Sequence, residues 1–445
     1  MEKIRQFIES KQYTLLRKEL TEYNHADIAE LLEELPKEEA FQIFRLLPKD
    51  MAADVFSYLP IDLEQMVIIS LTDREAANIV DNLMADDATD LMEEMPSNVV
   101  KRLLGNASQE ARRAINHLLQ YPEDSAGSIM TVEFVDLKES LTVSQAIDKI
   151  RKIGLDKETI NICYVLDKRR CLIGTVALRY LLISEPDAVI GDIMNDKVIS
   201  IQTLMDQEEV ADIFQKYDFT AMPVVDKENR LVGIITVDDV VDIMREEATE
   251  DIEKMAAIVP TDKPYMKTGV FETWKKRIPW LLLLMISATF TGQIISYYEN
   301  ALGTYVILTA FIPMLMDSGG NAGGQASVTI IRGISLNEIA FSDIFQIIWK
   351  EIRVAAACGI TLGAATFCKL MFFDRVSLTI ASVVCFTLVV TIFIAKVVGC
   401  TLPMLAKKVG FDPAVMASPF ITTIVDALSL IVYFQFATHL LRIKT

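Results

Sequence analysis

The sequence predicts a multidomain membrane protein with an all-α helical-repeat N-domain, two α/β modules in tandem, a connecting helix and a five-helix α-helical transmembrane domain. Three observations support this fold class. Prolines recur at a fixed spacing in the first quarter of the chain, a segment near Gly127 recurs near Gly191, and long apolar runs fill the C-terminal part. The expected boundaries are residues 1–124, 125–247, 248–277 and 278–445.

The N-domain is predicted from short amphipathic stretches such as DIAELLEELP and ADVFSYLP. Pro36, Pro48 and Pro60 recur every 12 residues, and Pro96 falls on the same lattice. Such a period is typical of an α-solenoid, in which each short helix buries its leucine face against its neighbours. This part of the sequence contains no catalytic constellation.

The two α/β modules are predicted from an internal repeat. GSIMTVEFVDLKESLTVSQAID from Gly127 matches GDIMNDKVISIQTLMDQEEVAD from Gly191, and CLIGTVALRYLL matches RLVGIITVDDVV. Each unit reads as an extended segment, a helix, a strand, a second strand containing Gly174 or Gly233, and a closing helix. The string TAMPVVDKENRLVGIITVDD, residues 220–239, closely resembles a CBS domain, so the repeat indicates tandem CBS domains.

The charge is divided unevenly between the two parts of the chain. Residues 271–445 hold 9 acidic and 13 basic residues, so the net charge of −18 leaves −22 on the preceding part. This part would repel nucleic acid and attract cations. The N-terminus lacks the apolar core of a secretory signal, so we expect it to stay in the cytoplasm.

Neither the cysteines nor the histidines indicate an enzyme or a zinc site. The six cysteines form no CxxC pair, and His25, His117 and His439 are widely separated. No nucleophile, base and orienting group recur together, so catalysis is the least expected function.

Five apolar segments are each long enough to cross a bilayer, which needs about 20 helical residues. They cover residues 279–297, 301–331, 352–373, 376–405 and 414–441. Basic residues concentrate at the ends that would be cytoplasmic, as at Lys275, Lys276 and Arg277. This distribution predicts a plasma-membrane protein with its N-terminus inside and its C-terminus outside.

Polar residues inside these segments are the candidate functional residues. A charged group there costs roughly 2.5 to 3.5 kcal/mol on insertion scales, so it tends to face water or a partner. Asp426, in PFITTIVDALSLIVYF, has no charged residue within a turn in sequence, and Asp317 precedes a glycine run. Lys396 is long enough to reach the interface, so we expect it to be structural.

The glycine run GGNAGG, residues 319–324, has two interpretations. Close helix packing is one. So many glycines weaken a helix, however, and we expect a locally opened backbone that lines a cavity. Its carbonyls and the amides of Asn321 and Gln325 would offer neutral oxygen ligands to a hydrated cation.

The whole chain resembles the MgtE family of magnesium channels and transporters. The motifs P-x5-GGN-x-G-x-Q, from Pro313, and P-x6-D, from Pro419 to Asp426, carry the resemblance together with the domain order. It implies a homodimeric Mg²⁺ uptake path between two subunits, with Asp426 of both chains holding a hydrated ion. The pore positions it implies are Asp426, Thr422, Ser418, Asn321, Gly324 and Asp317. Gly324 stands where some relatives have an asparagine.

The same resemblance implies regulatory Mg²⁺ ions that hold the pore shut. Facing carboxylates repel when bare and are bridged when Mg²⁺ is abundant, which gives negative feedback. The positions that match such sites are Asp86, Asp90, Glu208, Asp218, Asp239, Asp242, Glu247, Glu250, Asp251 and Asp412. Some relatives also bind ATP between the modules, for which Arg179 and Asp239 are the candidates. Leu178 stands where a ribose-binding aspartate is expected, which argues against ATP.

Other functions remain open from the residues alone. A membrane-anchored sensor would use the tandem modules without transport, but it leaves Asp426 unexplained. A transporter of Co²⁺, Ca²⁺ or an anion is a further alternative, and the acidic pore residues argue against anions. Mg²⁺ fits best because it demands oxygen ligands and gives up water reluctantly.

Overall fold

The computed structural model describes residues 2–10, 12–261, 265–416 and 418–442. The chain divides into two compact units, Met1–Met244 and Arg245–Thr445. Within the described residues, every β-strand belongs to the first unit.

The first unit begins with ten helices of 8 to 10 residues each. They are α1 (Glu2–Glu9), α2 (Tyr13–Leu20), α3 (His25–Glu34), α4 (Lys37–Phe44), α5 (Lys49–Ser57), α6 (Ile61–Ser70), α7 (Asp73–Val80), α8 (Ala85–Glu93), α9 (Ser97–Asn106) and α10 (Gln109–Leu118). Alternate helices pack together, with α3 against α5, α5 against α7 and α7 against α9. This confirms the predicted helical repeat, whose leucine faces share one core.

The proline lattice marks helix starts. Pro36, Pro48, Pro60 and Pro96 are the N-cap residues of α4, α5, α6 and α9, with ψ between 139° and 149°. An N-cap residue is extended, and proline fixes φ at a value that this conformation accepts. Each proline therefore ends one repeat and begins the next.

The two α/β modules follow. Their elements are β1 (Asp136–Lys138), α11 (Val143–Ile153), β2 (Ile162–Leu166), β3 (Leu172–Ala177), α12 (Leu178–Ile183), α13 (Ile190–Ile193), β4 (Ile201–Gln202), α14 (Gln207–Tyr217), β5 (Ala221–Val225), β6 (Leu231–Thr236) and α15 (Val237–Met255). The sheets have the orders β1-β2-β3 and β4-β5-β6. In each sheet the first pair is parallel and the second antiparallel, and Gly174 pairs with Val165 as Gly233 pairs with Val224. The predicted repeat is confirmed.

The modules exchange their leading segments. Thr131, at the end of GSIMT, bridges to Ile234 in the second sheet, while Asn195, after GDIM, bridges to Thr175 in the first. A residue larger than glycine at 174 would meet Met194 Sδ at 2.5 Å. Each module therefore completes the other, which explains why the repeat occurs as a pair.

The second unit contains the end of α15 and the apolar helices. These are α16 (Val270–Tyr297), α17 (Glu299–Thr304), α18 (Ile312–Ser335), α19 (Ile344–Phe372), α20 (Leu378–Val409) and α21 (Ser418–Leu440). Short 3₁₀ segments lie at Val306–Phe311, Phe341–Asp343 and Pro413–Met416. α20 packs against α18, α19 and α21, and α18 also packs against α21.

Four helical stretches among the described residues are long and apolar enough to cross a membrane. They are Val270–Tyr297, Phe341–Phe372, Leu378–Val409 and Pro413–Leu440. The predicted segment 301–331 differs, because it divides into α17, a 3₁₀ turn and α18. α18 has 24 residues, or about 36 Å at 1.5 Å per residue, so it has the length of a fifth span while being more polar.

Candidate functional site

Asp426 lies in the middle of the last helix, α21, and is half-buried. Its Oδ1 is buried and accepts no hydrogen bond from the described residues. An unsatisfied buried carboxylate oxygen is costly, and cations or water commonly satisfy such groups. The residue singled out from the sequence therefore has a buried carboxylate oxygen that could accept a hydrogen bond or bind a cation.

A second acid lies close to this one in the fold. Asp317, on α18, is near enough for its carboxylate to repel that of Asp426. Asp317 is exposed. The sequence showed no charged residue close to Asp426, because the neighbour is on another helix more than 100 residues away.

The expectation of an opened backbone at the glycine run is wrong. α18 is helical from Ile312 to Ser335. Gly319, Gly320 and Gly323 are instead packed against other helices: an added Cβ would lie 2.6 Å from Thr391, 2.8 Å from Thr422 and 2.8 Å from Ile421, respectively. Close helix packing, the other interpretation, accounts for these glycines.

The tightest of these contacts joins α18 to α20. A Cβ added at Gly399 would lie 2.3 Å from the carbonyl oxygen of Gly323. At this point the two backbones touch without an intervening side chain, so glycine is required on the α20 side. The cost of glycine to the helix is offset by dispersion contacts along the whole crossing.

The helix α18 carries a polar face, which we define as Asp317, Asn321 and Gln325. These residues are spaced by four, so they follow one side of the helix. All three are exposed within this chain. A row of polar groups on an apolar bundle needs water or a partner, because lipid satisfies neither amide nor carboxylate.

The remaining predicted pore positions lie around this face. Thr422 is half-buried one turn before Asp426 and touches Gly320, so α18 and α21 meet beside the two acids. Gly324 is buried, and the side chain of Ser418 lies outside the described residues. The structure therefore brings Asp317, Thr422 and Asp426 together, and their role in ion binding stays a prediction.

The expectation that Lys396 reaches the membrane interface is wrong. Lys396 is 6% exposed, and its Nζ lies 3.8 Å from Oε2 of Glu351 on α19. Glu351 was not a candidate from the sequence, because it stands beside Lys350 and Arg353 at the start of an apolar segment. An ion pair reduces the cost of burying both charges.

A cluster of acids lies in the first unit, where the N-terminus of α8 faces that of α15. We call it the α8/α15 cluster; it contains Asp86, Asp87, Asp239 and Glu158. Burial and repulsion by Asp87 and Asp239 raise the pKa of Asp86 well above its usual range. Burial, together with repulsion by Asp238 and Asp239, raises the pKa of Asp87 to about 6 and that of Glu158 to about 7.

Asp239 is held within this cluster by a hydrogen bond. Thr236 Oγ1 donates to its Oδ2 over 2.8 Å. Burial nevertheless raises the pKa of Asp239, and Asp238 and Asp242 add repulsion. Asp90 lies one turn after Asp86 and, with Asp87, repels Glu64 on α6, whose pKa is raised to about 8 mainly by burial.

The α8/α15 cluster offers the oxygen ligands of a hard-cation site, but its side chains are not arranged closely enough to hold a metal ion. Carboxylate oxygens are the ligands that Mg²⁺ prefers. Within the described residues, no three acidic, histidine or cysteine side chains are close enough to form a metal site. The sequence missed Asp87, Glu158 and Glu64; Asp87 stands inside the ADDATD motif, whereas nothing in the sequence marks the other two.

Two predicted regulatory positions lie on α14. Glu208 belongs to its first turn, and Asp218 is its C-cap in the left-handed conformation, with φ 53°. A non-glycine residue there fits a helix end, where aspartate is among the better tolerated residues. Asp218 therefore has a structural role that the prediction did not consider.

The end of α15 forms a charged contact within the second unit. Lys254 Nζ lies 2.7 Å from Oε1 of Glu250 and 2.7 Å from Oδ2 of Asp412, which precedes α21. Burial and the charge of Asp412 raise the pKa of Asp251. Glu247, one turn before Asp251, lies on the same helix. Four of the predicted regulatory acids, Glu247, Glu250, Asp251 and Asp412, thus belong to the second unit. The sequence did not predict that Lys254 pairs with two of them.

The candidate nucleotide residues occupy different settings. Arg179 is exposed on α12, next to Leu178, which packs against the core of the first module. Asp239 belongs to the α8/α15 cluster. Their predicted role in ATP binding stays untested.

Family models match three parts of the chain. A model described as a divalent cation transporter, MgtE, matches residues 312–436. The MgtE intracellular N domain matches residues 23–124, and the CBS domain matches residues 190–246.

Similar proteins cover most of the chain. A protein named magnesium transporter MgtE from Thermus thermophilus is 37% identical over 342 residues, which is 77% of this chain and 76% of the relative. A protein of the same name from Bacillus subtilis is 35% identical over 380 residues, 84% of this chain and 82% of the relative.

Two solved structures resemble the front part of the chain. One is the soluble part of a magnesium transporter, with a TM-score of 0.52 and 30% identity, covering 55% of this chain and 96% of that one. The other is the cytosolic domain of the Mg²⁺ channel MgtE in complex with ATP, with a TM-score of 0.52 and 36% identity, covering 54% and 98%.

Proposed function

Because the chain belongs to the MgtE family of divalent cation transporters, we propose that it carries Mg²⁺ across the plasma membrane along a path lined by α18 and α21. Family membership confirms the resemblance inferred from the GGN and P-x6-D motifs. The observation that carries the proposal is the polar face of α18 next to Asp426, whose Oδ1 lacks a hydrogen bond from the described residues.

We further propose that the path forms between two copies of the chain. The polar face of α18 is exposed in a single copy, and a second copy would enclose it as an aqueous passage. Two Asp426 carboxylates would then accept hydrogen bonds from the water ligands of one Mg²⁺ ion. Such outer contacts suit an ion that keeps several of its waters. The N-terminal parts would be cytoplasmic and the C-terminus outside.

The test measures transport by Asp426→Asn, which keeps the shape of the side chain and removes its charge. The full chain is placed in liposomes that contain a fluorescent Mg²⁺ indicator. We expect at least a tenfold loss of Mg²⁺ influx, equivalent to about 1.4 kcal/mol in ion stabilisation. The matched control is Asp374→Asn, an acid that pairs with Lys369 at the end of α19 and should leave influx unchanged. Equal influx in all three proteins would remove Asp426 from the path.

We propose that cytoplasmic Mg²⁺ closes this path by binding to acids of the α8/α15 cluster and, at a separate site, to acids at the end of α15. The raised pKa values in the cluster reflect burial and repulsion, and repulsion of this kind is relieved when a divalent cation binds. Neutralising Asp239, Asp242, Glu247 and Asp251 together should weaken inhibition of influx by internal Mg²⁺. An unchanged inhibition curve would contradict the feedback.

We propose a transporter with CBS regulatory modules and no catalytic role. The ATP bound in the related cytosolic domain is a ligand of that protein. In this chain Leu178 stands where a ribose-binding acid is expected. Loss of a charged hydrogen bond, which contributes about 1.5 to 3 kcal/mol, should make ATP binding at least about tenfold weaker than in the related cytosolic domain. Titration calorimetry of both proteins would measure the difference.

A further inference from the structure

Two charged side chains of the apolar bundle form a buried pair that the proposed ion path does not use. Glu351 on α19 and Lys396 on α20 have side chains that are 12% and 8% exposed, and Nζ lies 3.8 Å from Oε2. That oxygen is buried and accepts no hydrogen bond from the described residues. Both helices are apolar and long enough to cross a membrane, where a lone charge is strongly disfavoured.

The pair lies on the side of α20 that faces α19. Val389 is seven residues before Lys396 and so lies on the same side of the helix. Its side chain meets α19 at Gly359 and Gly363, where an added Cβ would lie 3.3 Å and 3.2 Å away. The ion pair therefore continues a close α19–α20 contact by two further turns.

The adjoining side of the same turn of α20 meets α18, one of the two helices that line the proposed ion path. The carbonyl oxygen of Ala395 lies 3.2 Å from a Cβ built on Gly323, and Gly399 touches the Gly323 carbonyl directly. Lys396 stands between these two contact residues in sequence. One turn of α20 thus connects α19 on one side with the glycine run of α18 on the other.

We propose that Glu351 and Lys396 are positioning residues for ion transport. Their attraction fixes the axial register of α20 against α19, and α20 in turn supports the glycine run of α18. Apolar side chains in a bilayer select a register only by packing, since lipid tails are as apolar as leucine. Opposite charges in a medium of low dielectric constant separate at a high energy, so they select one register. The inference rests on the proposed function, because its consequence is a change in Mg²⁺ influx.

The test compares two double variants of the full chain in liposomes, each free of a lone buried charge. Glu351→Gln with Lys396→Gln removes the attraction, and we expect influx to fall at least about tenfold while the protein stays monodisperse, because no charge is left buried without a partner. Glu351→Lys with Lys396→Glu restores the attraction in reverse, and we expect it to keep at least about a third of wild-type influx. A merely structural pair would predict full influx in the neutral double variant.

The matched control is the exposed pair at the other end of α19, Lys369 and Asp374, whose charged atoms lie 3.2 Å apart. Lys369→Gln with Asp374→Asn should leave influx unchanged. Wild-type influx in the neutral double variant, or a folded but inactive reversed pair, would overturn the inference. Failure of both double variants to fold would also overturn it, because the pair would then serve folding. A wild-type chain without Mg²⁺ influx would overturn the proposed function itself.

Discussion

Lys254 places its ammonium group 2.7 Å from Oδ2 of Asp412 and 2.7 Å from Oε1 of Glu250. These hydrogen bonds outweigh the effect of burial and raise the pKa of Lys254, so it is charged throughout the physiological range. A protein cation thus joins the end of α15 to the segment before α21.

Replacing Lys254 by methionine should loosen the end of α15. The variant keeps the length of the side chain and leaves Asp412 and Glu250 without their shared cation. A partly buried pair of this kind contributes about 1 kcal/mol, so amide exchange over residues 250–255 should accelerate about fivefold. Hydrogen exchange followed by mass spectrometry measures this. Lys407→Met, at an exposed position of α20, is the control, and equal exchange in both variants would contradict the prediction.

Alanine at Gly399 should destabilise the bundle strongly. Its Cβ would lie 2.3 Å from a backbone carbonyl oxygen, which can move only if α18 moves. We expect a loss of about 1 to 3 kcal/mol, read as a lower unfolding temperature of the detergent-solubilised chain. The control is Gly292→Ala on α16, where an added Cβ meets nothing within 4 Å and helix propensity should add about 0.5 to 1 kcal/mol. Similar unfolding temperatures for the two variants would refute the backbone contact.

Alanine should be tolerated better at Gly174 than at Gly233, although the repeat makes them equivalent. At Gly174 the three nearest atoms all belong to the flexible side chain of Met194. At Gly233 the backbone oxygen of Thr131 also lies 2.7 Å from the added Cβ.

Shortening the methionine tests this difference. Met194→Ala should restore stability to Gly174→Ala, whereas Met130→Ala should leave Gly233→Ala destabilised. Thermal unfolding of the four proteins measures the effect. Equal rescue at both sites would show that the exchanged segments are not packed as described.

The first unit should lose stability as the pH rises from about 4 to about 8. Asp87, Glu158 and Glu64 have pKa values raised to about 6, 7 and 8, so the folded chain holds protons more tightly than the unfolded chain. The resulting stabilisation is complete below the unfolded values near 4 and is lost as the pH passes through the folded ones. The expected change is of the order of 1 kcal/mol after allowance for solvent screening.

Hydrogen exchange of α8 in the full chain, corrected for intrinsic rates, measures this pH dependence. Asp87→Asn should flatten it, and added Mg²⁺ should reduce it. Glu30→Gln, at an exposed position of α3, should leave it unchanged. A flat profile in the wild type would rule out repulsion within the α8/α15 cluster.

Local signals in the sequence were enough to predict the solenoid and the module repeat and to single out Asp426. Pro36 and Pro48 act on the residues beside them, and the repeat shows its period directly. Asp426 is conspicuous because its own helix contains no other acidic residue and no lysine or arginine.

What the sequence did not reveal depends on contacts between distant segments. Glu351 and Lys396 are 45 positions apart, and only the packing of α19 on α20 shows that they pair. The glycine run was misinterpreted for the same reason: its low helix propensity is a local property, while the partners that stabilise it, such as Thr391 and Ile421, lie on other helices.

The glycine-lined side of α18 bears on how the bundle can change conformation. At these glycines α18 projects no side chains of its own between those of its neighbours, so the helix can rotate or shear against them as an intact rod. With α20 anchored to α19, that pair would act as the stationary frame. Gating motions would then proceed by rigid-body displacement, and the backbone hydrogen bonds of α18 would survive every state of the cycle.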